Sequence, residues 1–339
     1  MHKNFIKHLL VLLIIFSNSS FGKEFEELFT IYVPIENSSK IESSINKSFN
    51  NLVFRISGSK SSSNIWKIIN SGSSRKDFIE SYSIKNINSS SYLEVNFDQE
   101  LIINKFKDLF IPIIDYSRPV IFFLINVESG SRAPYYISED SDSEIGNLIK
   151  ETLVEISNER GLFLELPLLD LADNQFLSNT NILSSPKTYL ISKYNFDELV
   201  EIKYTNLGLN RWLISGDIDT EIKSDTYLEE IRKIFIDHVE AKIESMYQNL
   251  IIDTSKTVLL QLKIQGINSF KEYEMLKEKL SKFIAISNMQ ILKFNNNSIT
   301  YQISVMGDIN TLKNTIETST FFELAQDSDD NILDLIFIK

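Results

Sequence analysis

Two aspartates, Asp170 and Asp173 in "LLDLAD", have a spacing that could support acid and base chemistry. Three residues apart on a helix they would share one face, and paired carboxylates can act as proton donor and base or bind a cation. The same residue types also begin helices. Asp170 would cap a helix that follows a buried strand, and Asp173 would lie near the positive end of that helix. We favour the capping interpretation.

An acidic loop and two arginines could also bind ligands. The loop "SEDSDSE", Ser138 to Glu144, could meet calcium, but it lacks the glycine and the final glutamate spacing of an EF-hand loop, so we assign no metal site. Arg118 and Arg160 could bind an anionic partner, although each adjoins a buried strand or a helix end, where arginine commonly donates to carbonyl groups. The binding candidates are therefore Arg118, Arg160, Asp170 and Asp173, and no residue is assigned as catalytic.

The stretch "FRISGSKSSSNIWK", Phe54 to Lys67, combines glycine, lysine and serine as phosphate-binding loops do. A Walker loop needs G-x-x-x-x-G-K-[ST] between a strand and a helix. Here Gly58 stands alone, and the apolar residues before it recur at steps of three and four, which indicates a helix. We therefore expect Gly58 to end one helix and Ser61 to Ser63 to cap the next, and we expect no bound nucleotide.

The cysteine and histidine contents exclude several kinds of site. The chain has no cysteine and three histidines, and two of these, His2 and His8, lie in the first 22 residues. Zinc sites built from Cys and His, thiol nucleophiles and iron–sulfur clusters are thus excluded, and we expect no cofactor. A Ser-His-Asp triad would need His238. That residue lies beside the apolar stripe of an amphipathic helix pattern, where a histidine is more often packed than catalytic.

Residues 1–22 have the pattern of a secretory signal peptide. Lys3 and Lys7 precede the apolar stretch "LLVLLIIF", and small residues follow up to Gly22. The apolar stretch is too short to span a bilayer, which takes about 20 residues. We expect cleavage after Gly22 and a periplasmic protein of a Gram-negative bacterium with no membrane span. The formal net charge of −12 disfavours a nucleic-acid partner, which would require a basic face.

The remaining chain divides into three segments, which predict a multi-domain α+β or α/β protein. Residues 23–115 have the pattern of a small α+β unit. Residues 116–250 begin with the buried strand "RPVIFFLINV" and then alternate helices and strands, which is typical of an α/β layer. Residues 251–339 follow a β-α-β-β-α-β order like that of ferredoxin-like folds. Some of those folds bind RNA, but their basic and aromatic strand motif is missing here.

Several stretches carry a resemblance to a known family: "YVPI", "RISGS", "YLEVNFD", "RPVIFFL", "RGLFLELPLLDLAD", "ISKYNFDELVEI" and "RWLISGD". Together they resemble the exported proteobacterial proteins known as domain of unknown function 2066. One departure is "KYNFDEL", where Asn195 and Phe196 replace an expected glycine turn. More distantly, the second segment is similar to the amino-terminal domain of TolB and the periplasmic domain of the curli secretion protein CsgG. These resemblances imply a fold and an envelope setting, and the family has no established activity.

Two functions remain open at this point. The first is a non-enzymatic binding or assembly factor of the bacterial cell envelope, with another envelope protein as its partner. The second is a carboxylate-based hydrolase acting on envelope glycans, and the only sequence support for it is the presence of Asp and Glu residues without a specific motif. A flat apolar surface patch would favour the first function, and a deep cleft with two carboxylates would favour the second.

Overall fold

The computed structural model describes residues 23–35, 41–87, 90–130, 133–178, 188–189, 192–317, 321–325 and 332–338. Within these ranges the protein has a mixed α+β architecture, with eight α-helices and strands in several separate sheets, in agreement with the predicted mixed class. The expected signal peptide, residues 1–22, lies outside the described residues.

Three antiparallel strands and three helices form the amino-terminal unit. After β1 (Lys23–Glu24), its strands are β2 (Thr30–Pro34), β3 (Ile79–Ile87) and β4 (Ser90–Phe97), in the order β2-β4-β3, and its helices are α1 (Ile41–Ser57), α2 (Ser62–Asn70) and α3 (Gln99–Asp108). A short 3-10 helix, Arg75–Phe78, leads into β3. Helix α1 packs on β2 and β4 through apolar residues spaced three and four apart, including Ile45, Phe49 and Leu52.

The predicted break between α1 and α2 is confirmed. Helix α1 ends at Ser57, and Gly58 follows with a φ of +70°, in the left-handed region that glycine enters without strain. Ser61 then caps α2, because its hydroxyl accepts the Ser63 amide at 3.3 Å. The stretch that resembles a phosphate-binding loop is thus a connection between two helices.

A sheet with two parallel central strands forms the second unit. Its strands include β7 (Val120–Glu128), β8 (Tyr135–Tyr136), β9 (Phe163–Glu165), β10 (Glu198–Gly208), β11 (Arg211–Gly216) and β12 (Thr220–Lys223). The order is β12-β11-β10-β7, with β8 and β9 both pairing with β7 on its other side. Helices α4 (Glu144–Arg160) and α6 (Tyr227–Gln248) cover one face, and α5 (Leu171–Ser178) follows β9. Two short strands, β5 (Ile113–Ile114) and β6 (Ser117–Arg118), precede this unit, and β6 pairs with β1.

Strand β7 is buried on both faces, as its continuous apolar run predicted. Ile121 and Phe123 point into the core shared with α4 and α6. On the opposite face Phe122 stacks on Tyr194 and Phe196, with ring centroids 4.5 and 5.5 Å apart. The aromatic residues of "KYNFDEL" therefore cover the second face of the sheet.

Two further stretches of this unit have sequence patterns that the structure contradicts or describes only in part. The apolar stretch "LFLELPLL" predicts a second buried strand after α4, and this prediction is wrong in length and burial. Strand β9 has three residues, all half-buried, because it pairs only with the first residues of β7. The stretch "PKTYLISKY" has a helical pattern; residues 188–189 and 192–194 of it are described, and the Ser192 amide donates to the Thr188 carbonyl oxygen at 3.2 Å, as in a helical turn.

The last segment forms a five-stranded sheet with two helices. Its elements are β13 (Ile251–Ile252), which pairs with β5, and then β14 (Thr257–Gln265), α7 (Phe270–Ser281), β15 (Ile286–Asn295), β16 (Ser298–Met306), α8 (Ile309–Glu317), β17 (Phe322–Leu324) and β18 (Ile332–Phe337). The strand order is β15-β16-β14-β18-β17. The chain therefore ends in a strand pair, with β18 running parallel to β14 between β14 and β17.

The buried apolar side chains form two clusters. One cluster is continuous from the amino-terminal unit, for example Phe49 and Ile113, into the last segment, for example Ile252 and Leu262. The other belongs to the central sheet with α4 and α6. The amino-terminal unit and the last segment are thus packed together, and the Thr254 hydroxyl adds a hydrogen bond to the Ile111 carbonyl oxygen at 3.0 Å.

Candidate functional site

Asp170 and Asp173 form a reciprocal cap at the start of α5. Asp170 Oδ1 accepts the Asp173 amide at 2.8 Å, and Asp173 Oδ2 accepts the Asp170 amide at 2.9 Å. This is the geometry of a capping box with aspartate at both positions. The favoured interpretation of the pair as a helix start therefore matches the geometry.

Asp173 is also the centre of a small polar network. Its Oδ1 accepts hydrogen bonds from the Lys193 ammonium and, at 2.8 Å, from the Tyr189 hydroxyl. Burial raises the pKa of Asp173, but the hydrogen bonds from Lys193, from the Asp170 amide and from Tyr189 outweigh it and hold this pKa below its ordinary value. The hydrogen bond to Asp173 in turn raises the pKa of Lys193.

This network is poorly suited to glycoside hydrolysis. A general acid needs a carboxyl group whose pKa is raised, whereas that of Asp173 is lowered. Asp173 is fully buried and both of its oxygens already accept hydrogen bonds. The Asp170 carboxylate is used by the cap and lies 3.9 Å from the Lys193 ammonium. The pair begins a helix and anchors Tyr189 and Lys193 to it.

The acidic loop is held by side chains of this chain. The Ser138 amide donates to the Ser141 hydroxyl at 2.8 Å, and the Ser143 hydroxyl caps α4. The Lys150 ammonium donates to the carbonyl oxygens of Glu139, at 3.3 Å, and of Ser141. A positive charge thus occupies the carbonyl oxygens that calcium would need. In the part of the chain that the structure describes, no group of three or more His, Asp or Glu residues could hold a metal ion.

Arg118 and Arg160 are fully buried where the units meet. Arg118 donates to the Arg55 carbonyl oxygen at 3.0 Å and to the Tyr247 hydroxyl at 3.2 Å. Arg160 donates to the Gly58 carbonyl oxygen at 2.9 Å, and the Tyr247 hydroxyl donates to the Arg160 carbonyl oxygen at 2.9 Å. Both guanidinium groups lie 5.5 Å from the Tyr247 ring centre. An external anion could reach these groups only if the junction opened.

A third buried arginine, Arg55, was not among the sequence candidates. Its Nη1 donates to the Glu27 and Thr30 carbonyl oxygens, both at 2.8 Å, and its Nη2 donates to that of Asn158. Burial and then the charge of Arg118 lower the pKa of Arg55 to about 9. The stretches "RISGS", "RPVIFFL" and "RGLFLEL" therefore meet at one arginine junction. Each arginine stands shortly before a glycine or proline, but this local pattern does not indicate that the three residues lie together.

Asp115 lies at the edge of this junction and is 4% exposed. Its Oδ1 accepts the Tyr116 amide at 2.7 Å, and the amides of Ile284 and Ala285, in the turn between α7 and β15, also face the carboxylate. Oδ2 itself has no partner of good hydrogen-bond geometry among the described residues. Burial raises the pKa of Asp115 to about 6, although these amides and Arg118 oppose the rise.

His238 lies half-buried on α6, in agreement with its expected place beside the apolar stripe. Burial lowers its pKa, so the neutral imidazole is favoured at neutral pH. Its Nε2 makes no hydrogen bond within the described ranges.

A groove of about 760 Å³ lies between the start of α1 and strand β3. Two glutamates, Glu42 and Glu80, line it together with Lys76 and apolar residues. Both glutamates are exposed, and Glu42 pairs with Lys76 at 3.0 Å. Glu42 and Glu80 therefore line one surface together.

An open strand edge carries an exposed apolar surface. Strand β15 is the last strand at one side of its sheet, and Ile291, Leu292 and Phe294 are 51, 50 and 62% exposed. Phe270, at the start of α7, is 75% exposed and lies 6.0 Å from the Tyr273 ring, which contacts Phe294 at 6.4 Å. The stretch "NMQILKFN" lies in one of the strands that the β-α-β-β-α-β pattern predicts, but the sequence does not reveal this surface, because strand order decides which strand is left at an edge.

Comparison with protein-family models, with curated proteins and with solved structures found no match to the chain. Within the described ranges, no helix has the length and apolar character needed to cross a bilayer.

Proposed function

We propose that the protein is exported to the periplasm of a Gram-negative bacterium and acts there by binding another envelope protein. The observation that carries this proposal is the apolar edge at β15, where Ile291, Leu292 and Phe294 lie open to solvent on a long strand. An exposed apolar edge strand invites unwanted pairing, so soluble proteins normally shorten, charge or cover it. A partner that covers this edge explains why it is retained.

The sequence patterns support the envelope setting. Residues 1–22 resemble a signal peptide, and cleavage after Gly22 would leave β1, which begins at Lys23, intact. The chain resembles domain of unknown function 2066, and its central unit is similar in element order to TolB and CsgG domains that contact proteins in the envelope. We assign the last segment to the ferredoxin-like group, with β18 as an added strand.

The alternative function is a carboxylate hydrolase of envelope glycans. The groove beside α1 favours it, because Glu42 and Glu80 both line that surface. Asp170 and Asp173 do not add to it, since both are committed to the cap of α5.

In-cell photocrosslinking separates the two functions. A photoreactive amino acid at Phe294 should capture another envelope protein, whereas one at Leu259, which is equally exposed at 62% on β14, should capture much less. Mass analysis of the same protein should show Lys23 as its first residue. The proposal fails if position 294 captures no protein. It also fails if the purified protein cleaves envelope glycans and Glu42→Gln with Glu80→Gln abolishes that cleavage.

A further inference from the structure

We infer that the partner binds β15 by adding an extended strand to its open edge, with apolar residues at alternate positions and a carboxylate opposite Lys293. This inference rests on the proposed function and specifies how the partner is recognised.

The backbone of β15 provides the first argument. The strand has ten residues, with register shifts between Ile286 and Asn288 and between Ile291 and Lys293, and it pairs with β16 on one side only within the described ranges. At an edge strand, alternate amide and carbonyl groups point to solvent and can pair with another chain. The opposite edge of the sheet is different, because β17 offers three residues. Among the described strands, the long edge of this sheet is thus β15, which has no neighbouring strand on its outer side.

The side chains define what the added strand must carry. Cross-strand partners share one face of a sheet, and Met289, Ile291 and Phe294 pair with core residues of β16. These three residues therefore lie on the face that α7 covers. Beside them, Tyr273 and Phe270 extend the apolar surface along the same edge. A strand added next to β15 would place every second side chain against this surface, so those side chains must be apolar.

Charge selects a different protein over a second copy of this chain. Lys293 is the one charged residue between Ile286 and Asn295, in a chain whose net charge is −12. A carboxylate on the added strand would pair with Lys293 across the strands. A second β15 has no carboxylate to offer, and it would bring two acidic proteins together.

A crosslinking walk along the strand tests the inference in the full-length protein in cells. The photoreactive residue is placed in turn at Asn288, Gln290 and Asn295, which are all exposed and polar. For an added strand, the captured site on the partner should move by about two residues from position 288 to 290 and by about four or five from 290 to 295, always in one direction. A progression of this kind is the one that strand pairing predicts.

Charge variants give a second readout of the same complex. Lys293→Glu should reduce capture at Gln290 by about fivefold, since it places like charges opposite each other, and Lys293→Arg should retain it. Lys271→Glu is the matched control, because Lys271 is an exposed lysine on α7 of the same unit, and its change should leave capture unaltered.

Each other outcome overturns the inference in a distinct way. Capture of one partner protein with no progression of sites would leave the proposed function standing and refute strand addition. Capture of a second copy of this chain would replace the partner with self-association. Absence of protein capture at all three positions, with normal abundance of the variants, would refute both the inference and the proposed function.

Discussion

Replacing Asp115 with asparagine tests the electrostatics of the contact between the amino-terminal unit and the last segment. The pKa of Asp115 is raised from 3.8 to about 6, mainly by burial, so the folded protein binds this proton more readily than the unfolded chain does. Acidification from about pH 7 to pH 4 should therefore increase the free energy of unfolding through this group. The contribution is complete below pH 3.8 and is lost as the pH rises through 6.

The magnitude follows from the size of the shift. At about 1.4 kcal/mol per pKa unit, the full shift corresponds to about 3 kcal/mol, and about 1 kcal/mol of it should appear between pH 7 and pH 5. His238 acts in the opposite direction in this window, because its pKa is lowered and the unfolded chain takes up the proton first. The lowered pKa values of Asp173 and Asp308 matter only below about pH 5.

Urea unfolding of the wild type and of Asp115→Asn, measured at several pH values between about 7 and 5, provides the assay. His238 is present in both proteins, so the difference between their pH dependences isolates Asp115. Acidification from about pH 7 to pH 5 should raise the free energy of unfolding of the wild type by about 1 kcal/mol more than that of the variant. A pH-independent difference in stability between the two proteins does not affect this comparison. Parallel pH dependences, or a relative loss by the wild type, would show that Asp115 is not protonated more easily in the folded protein.

Four further predictions concern local geometry. Gly161→Ala should destabilise the protein far more than Gly72→Ala, as thermal unfolding of the two variants would show. Both glycines have positive φ, but a Cβ at Gly161 would lie 2.6 Å from Arg55 Cγ, whereas a Cβ at Gly72 would meet nothing within 4 Å. Phe110→Gly should raise the free energy of unfolding by roughly 1 kcal/mol, because Phe110 has a φ of +51° just after the end of α3. Phe110→Ala keeps this backbone strain, so urea titrations should show no such increase for it. Asp170→Asn should change the free energy of unfolding by less than about 0.5 kcal/mol, since asparagine caps equally well. Asp173→Asn should lower the free energy of unfolding by more, because Lys193 loses its charged acceptor. A larger loss for Asp170→Asn than for Asp173→Asn would contradict the capping role. Calcium or EDTA should shift the melting temperature by less than about 1 °C, since Lys150 occupies the loop carbonyl groups, and a larger shift would restore the loop as a metal site.

Features that depend on a few neighbouring residues could be predicted from the sequence. Gly58 follows α1, Ser61, Ser269 and Asp308 lie at helix starts, and Asp170 caps α5, each in agreement with its residue type. Caps and left-handed residues are decided within one helical turn, so the spacing in the chain is sufficient. The apolar run of β7 predicted a strand buried on both faces for a similar reason, since its composition suits no exposed position.

The tertiary structure alone decided which of these elements contact one another. Nothing in the spacing of Arg55, Arg118 and Arg160 indicates that they meet at one junction, and the pKa of Asp115 depends on a turn more than 160 residues later in the chain. The sequence likewise identified β15 as a strand without showing that it forms the open edge. Strand order and burial result from contacts between residues that are distant in sequence. Local propensity carries no information about those contacts, whereas the proposed partner surface at β15 exists because of those contacts.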